Sequence, residues 1–397
     1  MIPVSEATRL ISSKLYRPAT QTLPLSMACG HILAELITAD RDIPPYDRVT
    51  MDGIAIQSES FRQGKRTFLI QGIQAAGTAG TLLNNDENCV EVMTGAVLPT
   101  GADCVIRYED LEIDTVNSKA TILIDRLEDG QNVHAKGTNA QSGNTLIHPG
   151  TRLGSSEIAV LASVGKWEVT VFTPPRVVIV GTGDELIPVS SSPKPWQIRQ
   201  SNSYALQGAL HQINIPSTHH HLPDDQAKLT HAIPGLLEHA DILILSGGVS
   251  KGKFDFIPSV LVQAGIQEIF HEVAQKPGKP LWFGRSNSKT VFALPGNPVS
   301  TLVCYYKYVQ PWILQSLGTK ISPAYAILKE EIKFKPPLTY FVPVKINETK
   351  ENRYASPLPG TGSGDYVNLL AADGCLELPS SPSSFSSGES YEFIRFR

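Results

Sequence analysis

Three short runs rich in glycine, serine and proline follow apolar segments in the middle of the chain. They are Gly181-Thr182-Gly183-Asp184-Glu185 after Val177–Val180, Ser246-Gly247-Gly248-Val249-Ser250 after Ile242–Leu245, and Pro295-Gly296-Asn297-Pro298 after Phe292–Leu294. Glycine lets a backbone approach a ligand closely, and the start of a following helix favours an anion. One such run alone would more often be a tight turn between a strand and a helix. Three runs that meet at one sheet edge favour a ligand site.

Two lysines lie on a short loop bracketed by prolines, Lys276-Pro277-Gly278-Lys279-Pro280. Ammonium groups held in this way suit a phosphate or another oxyanion, whereas two solvated surface lysines are the simpler alternative. The chain has no Gly-x-Gly-x-x-Gly after its first apolar strand segment and no Gly-Lys-Ser/Thr, so it lacks both a Rossmann fingerprint and a P-loop. We therefore expect an oxyanion site of another kind.

Carboxylates follow the same runs or lie in other turns. They are Asp52, Glu185, Asp224, Asp225 and Asp255. Carboxylates beside a bound phosphate are typical of a Mg²⁺ site, although Asp224 or Asp225 could equally cap the helix that follows. The tract His219-His220-His221 resembles a metal site, but neighbouring residues of a strand point to opposite faces. We interpret the tract as structural.

Composition excludes several classes of protein. The chain has 397 residues, of which 41% are apolar and 18% charged, and a net charge of -4 without a block of like charges. A protein that binds nucleic acid would need a basic stripe, so this class is excluded. No apolar run reaches the roughly 18 residues that cross a bilayer. The first residues do not resemble a signal peptide, so we expect a cytoplasmic location and no membrane partner.

The pattern after Pro174-Pro175 predicts an α/β domain over residues 173–325. Apolar strand segments alternate there with helical stripes, which is typical of a parallel or mixed sheet with flanking helices. In such sheets ligands bind beyond the carboxyl ends of the strands, where the three glycine runs lie.

The remaining regions show other patterns of apolar and polar residues. Residues 37–139 alternate strand-like runs with turns and predict a mostly β insertion domain, and residues 326–397 predict a small β-barrel or sandwich. A helix begins near Val4 and another near Ser155. We expect these two helices to pack together, which makes residues 1–36 and 140–172 a discontinuous helical linker domain.

Six segments occur together in an order and spacing similar to those of the molybdopterin molybdenumtransferase (MoeA) family and the related E domain of gephyrin. They are Met51-Asp52-Gly53-Ile54-Ala55, Met93-Thr94-Gly95-Ala96, the runs from Gly181 and Ser246, Lys276–Pro280 and Leu294–Ser300. The resemblance covers essentially the whole chain. It implies a multidomain α/β subunit with a C-terminal β-barrel.

The resemblance also implies an activity and partners. The substrates would be adenylylated molybdopterin and molybdate, the cofactor Mg²⁺ and a product AMP. The subunits would form an elongated homodimer, with dimerisation through the N-terminal linker domain and active sites shared between subunits. The molybdopterin adenylyltransferase is a candidate protein partner.

Roles for single residues follow from the same resemblance. The catalytic set comprises Asp52, Thr94, Glu185, Asp255, Lys276 and Lys279. The pterin-binding set comprises Gly181, Thr182, Gly183, Ser246, Gly247, Gly248, Pro295, Gly296, Asn297, Pro298 and Ser363. The metal set comprises Asp52, Glu185, Asp225 and Asp255, with Asp224 also nearby.

Four positions depart from the family pattern and make the expected site less acidic. Asn139 and Gln200 stand where relatives commonly have acids, His134 where an arginine is frequent, and Lys251 where a small apolar residue is frequent. Two alternatives to an active molybdenumtransferase therefore stay open. One is a paralogue that binds or hands on molybdopterin without efficient metal insertion, and the other is a different nucleotide-processing enzyme.

Overall fold

The computed structural model describes residues 1–250, 252, 255–358, 360 and 362–397. The chain forms two compact units. The first comprises residues 1–34, 149–154 and 168–397, and the second comprises residues 35–148 and 155–167. The finer division into four domains stays a prediction.

A mixed sheet forms the centre of the first unit. Its strands, in spatial order, are Ser217–Leu222, Val177–Thr182, Ile242–Ser246, Thr290–Leu294, Trp282–Arg285 and Gln267–His271. The first four are parallel, and the last two join by antiparallel pairing. The predicted α/β architecture is confirmed.

Helices cover both faces of this sheet because its buried strands are apolar on both sides. Val177 and Ile179 face one hydrophobic core, whereas Val178 and Val180 face the other. The helices are Asn202–Gln212, Gln226–His239, Ile257–Gln263, Pro298–Cys304 and Gln310–Ser316, with a π-helical turn over Tyr305–Val309 between the last two. The strand-to-helix alternation thus follows the predicted order.

The N-terminal helix Val4–Ser12 packs differently from the prediction. Its buried residues Val4, Ala7 and Ile11 belong to the core of the α/β sheet. The helix that was expected to be its partner, Ser155–Ser163, belongs to the second unit. The correction has a simple reason: an apolar helical stripe specifies burial but not the surface that buries it.

The C-terminal region forms a closed barrel of five strands. In order around the barrel they are Thr339–Glu348, Arg353–Pro357, Ala324–Leu328, Ser390–Arg395 and Gly374–Leu378, which pairs back to the first. Closure satisfies the edges of a small sheet, and Leu376 and Phe393 lie in the barrel core. The barrel prediction is confirmed.

The second unit is mostly β, as predicted. Its six-stranded sheet contains, in spatial order, Cys104–Arg107, Gly53–Ile56, Asn88–Val92, Thr67–Gln74, Lys119–Ile122 and Leu111–Asp114. Short ladders add Arg48–Val49 with Val133–His134 and Ile37–Thr38 with Thr145–Ile147. Across the described ranges, no helix has the length and apolarity to cross a membrane.

Candidate functional site

Three loops start side by side at one edge of the α/β sheet. Gly181 pairs with Ser246, and Ser246 pairs with Leu294, so the carboxyl ends of three parallel strands are neighbours. A β-carbon on Gly247 would lie 2.6 Å from the carbonyl oxygen of Thr182, and the φ of Gly247 is +107°. Only glycine tolerates this position. The predicted convergence of the three glycine runs is confirmed.

Asn202, which sequence reasoning left out of the site, ties these loops together. Its Nδ2 donates to Ser246 Oγ at 2.9 Å and to the carbonyl oxygen of Gly296 at 2.8 Å, and it lies 3.1 Å from Thr301 Oγ1. Thr301 Oγ1 in turn donates to the carbonyl oxygen of Pro295 at 2.6 Å. Ser246 is only 3% exposed, so its hydroxyl supports the loops from the buried side. The signal in the sequence that could have identified Asn202 was a polar amide at the start of a helix beside this sheet edge.

The hydroxyl of Thr182 lies buried between the first two loops. Thr182 is 5% exposed, and its Oγ1 has no hydrogen-bond partner within the described part of the chain. A β-carbon on Gly247 would lie 2.6 Å from this oxygen, and one on Gly248 would lie 3.2 Å from it. A buried hydroxyl without a partner costs free energy relative to one that is hydrogen-bonded.

The turn that contains Ser363 closes one side of the third loop. Asn297 Nδ2 donates to Ser363 Oγ at 2.7 Å, and the main-chain N–H of Val299 donates to the carbonyl oxygen of Ser363 at 3.0 Å. Ser363 lies 66 positions after Asn297 in the sequence. The structure thus brings the C-terminal candidate residue to Asn297 and the start of the helix at Pro298.

Four carboxylates, those of Asp184, Glu185, Asp224 and Asp255, lie close to one another. The main-chain N–H of Asp224 donates to Asp184 Oδ1 at 3.2 Å, and Asp255 Oδ2 accepts the N–H of Gly252 at 2.6 Å. Burial, together with the negative charges of Asp184, Glu185 and Asp255, raises the pKa of Asp224. A cation placed here would relieve that repulsion.

Asp225 has a different role from its neighbour. Its Oδ1 accepts the main-chain N–H of Lys228 at 2.9 Å, so it caps the helix Gln226–His239. In the histidine tract, His221 Nε2 donates to the carbonyl oxygen of Gly183 at 2.9 Å, while the ring of His219 contacts Tyr204. These contacts are structural ones.

The lysine loop begins at the same sheet edge. It follows the strand that ends at His271, whose Nε2 donates to the carbonyl oxygen of Val249 at 2.8 Å. Both lysine side chains are exposed. Lys276 Nζ lies 5.8 Å from the ring centroid of Phe334, and Lys279 Nζ lies 3.9 Å from Glu272 Oε1. Neither contact buries its ammonium group.

Asp52 and Thr94 form a pair within the second unit. Asp52 Oδ1 accepts the main-chain N–H of Thr94 at 2.6 Å and its hydroxyl at 2.7 Å. These two hydrogen bonds hold the pKa of Asp52 below its usual range. A β-carbon on Gly53 would lie 1.8 Å from the carbonyl oxygen of Ile106, so the residue after Asp52 has to be glycine.

The positions that depart from the family pattern have different surroundings. Asn139 is exposed, and its main-chain N–H donates to Ile43. Gln200 is 7% exposed, and its main-chain N–H donates to Ile187. His134 Nδ1 lies 3.2 Å from Arg48 Nη2. Lys251 lies outside the described residues.

A preformed metal cage is absent from the part of the chain that the structure describes. No three His, Cys, Asp or Glu side chains there are arranged to hold an ion. Mg²⁺ commonly keeps several water molecules and uses one or two protein carboxylates together with substrate oxygens.

Known families match almost the whole chain. The MoeA N-terminal region (domains I and II) matches residues 2–165, a probable molybdopterin-binding domain matches residues 178–315, and the MoeA C-terminal region (domain IV) matches residues 325–396. The three glycine loops, the carboxylates after them and the lysine loop all lie within the second match.

Individual relatives agree over their full length. The chain is 41% identical to a molybdopterin molybdenumtransferase of Synechocystis over 99% of both chains. It is 30% identical to that of Bacillus subtilis over 100% of this chain and 94% of the relative. A solved MoeA structure from Pyrococcus horikosii superimposes with a TM-score of 0.82 at 31% identity, covering 100% of this chain and 99% of the other. The chain therefore belongs to the molybdopterin molybdenumtransferase (MoeA) family.

Proposed function

We propose that this enzyme inserts molybdenum from molybdate into adenylylated molybdopterin, with Mg²⁺ as cofactor and release of AMP. Its family acts in molybdenum cofactor biosynthesis on molybdopterin. The observation that carries the finer proposal is the meeting of three glycine loops, a carboxylate group and a lysine loop at one sheet edge. A substrate with a flat ring system and a phosphoanhydride needs close backbone approach, cationic groups and a metal site together.

Each group has a distinct part in this proposal. The loops at Thr182, Gly247 and Gly296 receive the pterin. Lys276 and Lys279 hold phosphate or molybdate oxygens as point charges.

The carboxylates supply the metal site. One or two of Glu185, Asp224 and Asp255 would contact Mg²⁺, with water and substrate oxygens as its other ligands. Asp224 rather than Asp225 belongs to this group because Asp225 is engaged as a helix cap. When bound, Mg²⁺ neutralises charge on the phosphoanhydride oxygens. The raised pKa of Asp224 supports the fit, because burial first and the neighbouring carboxylates second disfavour its charged form, and a cation would stabilise that form.

We further propose that the enzyme works as a homodimer in which Asp52 and Thr94 of one subunit complete the site of the other. Both residues lie in the second compact unit, whereas the loops, lysines and other carboxylates lie in the first. The hydrogen bonds from Thr94 lower the pKa of Asp52 and favour its ionised form, which a role beside Mg²⁺ requires.

The proposal is tested by incubating the purified protein with adenylylated molybdopterin, Mg²⁺ and molybdate. We expect AMP release, and we expect Glu185→Gln to slow it roughly a hundredfold because a charge beside the phosphoanhydride is lost. Glu112→Gln is a matched control, since Glu112 is an exposed carboxylate on a strand of the second unit.

Binding of the substrate without AMP release would contradict the proposal and favour a paralogue that only holds molybdopterin. Asn139→Asp distinguishes the cause, because it restores the carboxylate that relatives commonly have. A gain of turnover in that variant would assign the deficit to Asn139. Faster hydrolysis of unrelated pyrophosphates would instead indicate a different nucleotide-processing enzyme.

A further inference from the structure

A buried amide lies directly beneath the lysine loop. Gln275 precedes Lys276 and is only 1% exposed. Its Nε2 donates to the carbonyl oxygen of Pro277 at 3.2 Å and to that of Gly278 at 3.1 Å. One side-chain amide thus binds two successive carbonyl groups between the two lysines.

A tyrosine from the π-helical turn Tyr305–Val309 orients this amide. Tyr308 OH donates to Gln275 Oε1. Burial raises the pKa of Tyr308 well above its usual value, so the phenol stays protonated and remains a donor. Because Oε1 accepts from Tyr308, Nε2 has to face the loop. The direction of the amide is therefore determined by one hydroxyl group.

The loop is closely packed on this amide. The φ of Gly278 is +95°, and a β-carbon there would lie 2.6 Å from Gln275 Nε2 and 2.7 Å from Cys304 Sγ. At its start the loop is paired to the barrel, with Lys276 in register with Tyr340. The backbone between the lysines thus rests on Gln275 and Cys304 without free space.

We infer that Gln275 and Tyr308 are positioning residues that hold Lys276 and Lys279 in the arrangement that binds phosphate oxygens, an inference that rests on the proposed function. The lysine side chains are exposed, and a long exposed side chain keeps much of its rotamer freedom, so the geometry of the cationic pair depends on the backbone that carries them. Neither positioning residue touches the ligand. Their effect passes through the carbonyl groups of Pro277 and Gly278.

The test measures binding of inorganic pyrophosphate by isothermal titration calorimetry to the full chain. Tyr308→Phe removes one hydroxyl and keeps the ring, and we expect it to raise the Kd about five- to tenfold. Tyr305→Phe is the matched control on the same turn, because no partner for the Tyr305 hydroxyl exists among the described residues. It should leave the Kd unchanged.

Gln275→Met and the Tyr308→Phe/Gln275→Met double variant extend the test. We expect the double variant to bind pyrophosphate as weakly as Gln275→Met alone, because both changes break the same connection. In AMP release, Tyr308→Phe should raise the KM for the adenylylated substrate with kcat within about twofold of wild type.

Two results would overturn the inference, and they are distinguishable. If Tyr308→Phe lowers the Tm but keeps the wild-type Kd and KM, the pair is only structural and the proposed function stands. If the wild-type protein binds no pyrophosphate, and Lys276→Met and Lys279→Met leave AMP release unchanged, the lysines have no role in anion binding. The inference would then be wrong, and the proposed function would no longer have an anion site at the lysine loop.

Discussion

Asp224 and Asp225 are neighbours in the chain, yet their carboxylates have different surroundings. Asp225 accepts the N–H of Lys228 and caps a helix, whereas Asp224 lies among Asp184, Glu185 and Asp255. The same residue type therefore stabilises the fold at one position and belongs to the proposed metal site at the next.

Single substitutions of Asp224 and Asp225 distinguish the metal role from the capping role. We expect Asp225→Ala to lower the free energy of unfolding by about 1 kcal/mol through loss of the cap, with little change in Mg²⁺ dependence. Asp224→Asn should leave stability unchanged or slightly higher, because it removes carboxylate repulsion, and should increase the Mg²⁺ concentration needed for half-maximal AMP release. Urea denaturation and Mg²⁺ titration measure the two effects. The reverse pattern would return the metal role to Asp225.

At the scale of elements, parallel strands convert distant segments into one site. Asn202 and Thr301 are 99 positions apart, and both contact the loop that begins at Pro295. The first two loops approach so closely that Gly247, which lies against Thr182, can carry no side chain. The glycine run after Ser246 therefore allows one backbone to pack closely against another.

Gly247→Ala tests this close packing. The added β-carbon would overlap Thr182 in a backbone conformation that disfavours alanine, so we expect a loss of about 2 kcal/mol or more in the free energy of unfolding and a loss of AMP release. Gly235→Ala is the control, because Gly235 lies in the helix Gln226–His239 with open space around it. That variant should gain about 0.5–1 kcal/mol. Equal stability of the two variants would mean that the loops readily separate.

At the scale of the whole molecule, the proposed site residues are divided between two compact units. The second unit contributes Asp52 and Thr94, and the first contributes the loops, lysines and remaining carboxylates. A homodimer with shared sites would join both sets, with each subunit supplying half of two sites.

Subunit mixing tests this sharing. Asp52→Asn and Glu185→Gln are each expected to be nearly inactive alone. When the two variants are coexpressed, random pairing makes half of the dimers mixed, and each mixed dimer has one intact shared site. We therefore expect about a quarter of the wild-type rate of AMP release. A mixture no more active than either variant would contradict sharing between subunits, and a control mixture of Asp52→Asn with Thr94→Val should stay inactive.

The sequence by itself determined the order of the elements and the location of the site loops. Alternating apolar segments and helical stripes predicted the α/β sheet, the β-rich insertion and a small C-terminal barrel or sandwich, because local periodicity sets which faces are buried. The family resemblance favoured the barrel. Glycine and proline runs after Val180, Leu245 and Leu294 marked the site loops, and Gly183, Gly247 and Gly248 in the first two runs have positive φ values that few other residues adopt.

Only the tertiary structure decided which side chains meet. It placed Val4 and its helix on the α/β core, and it brought Asn202 and Thr301 into contact with the glycine loops. It also gave the carboxylates of Asp224 and Asp225 different surroundings. These contacts depend on the directions of side chains that are far apart in sequence. Local patterns cannot contain that information, because a hydrogen bond needs distance and angle between groups that only the folded chain brings together.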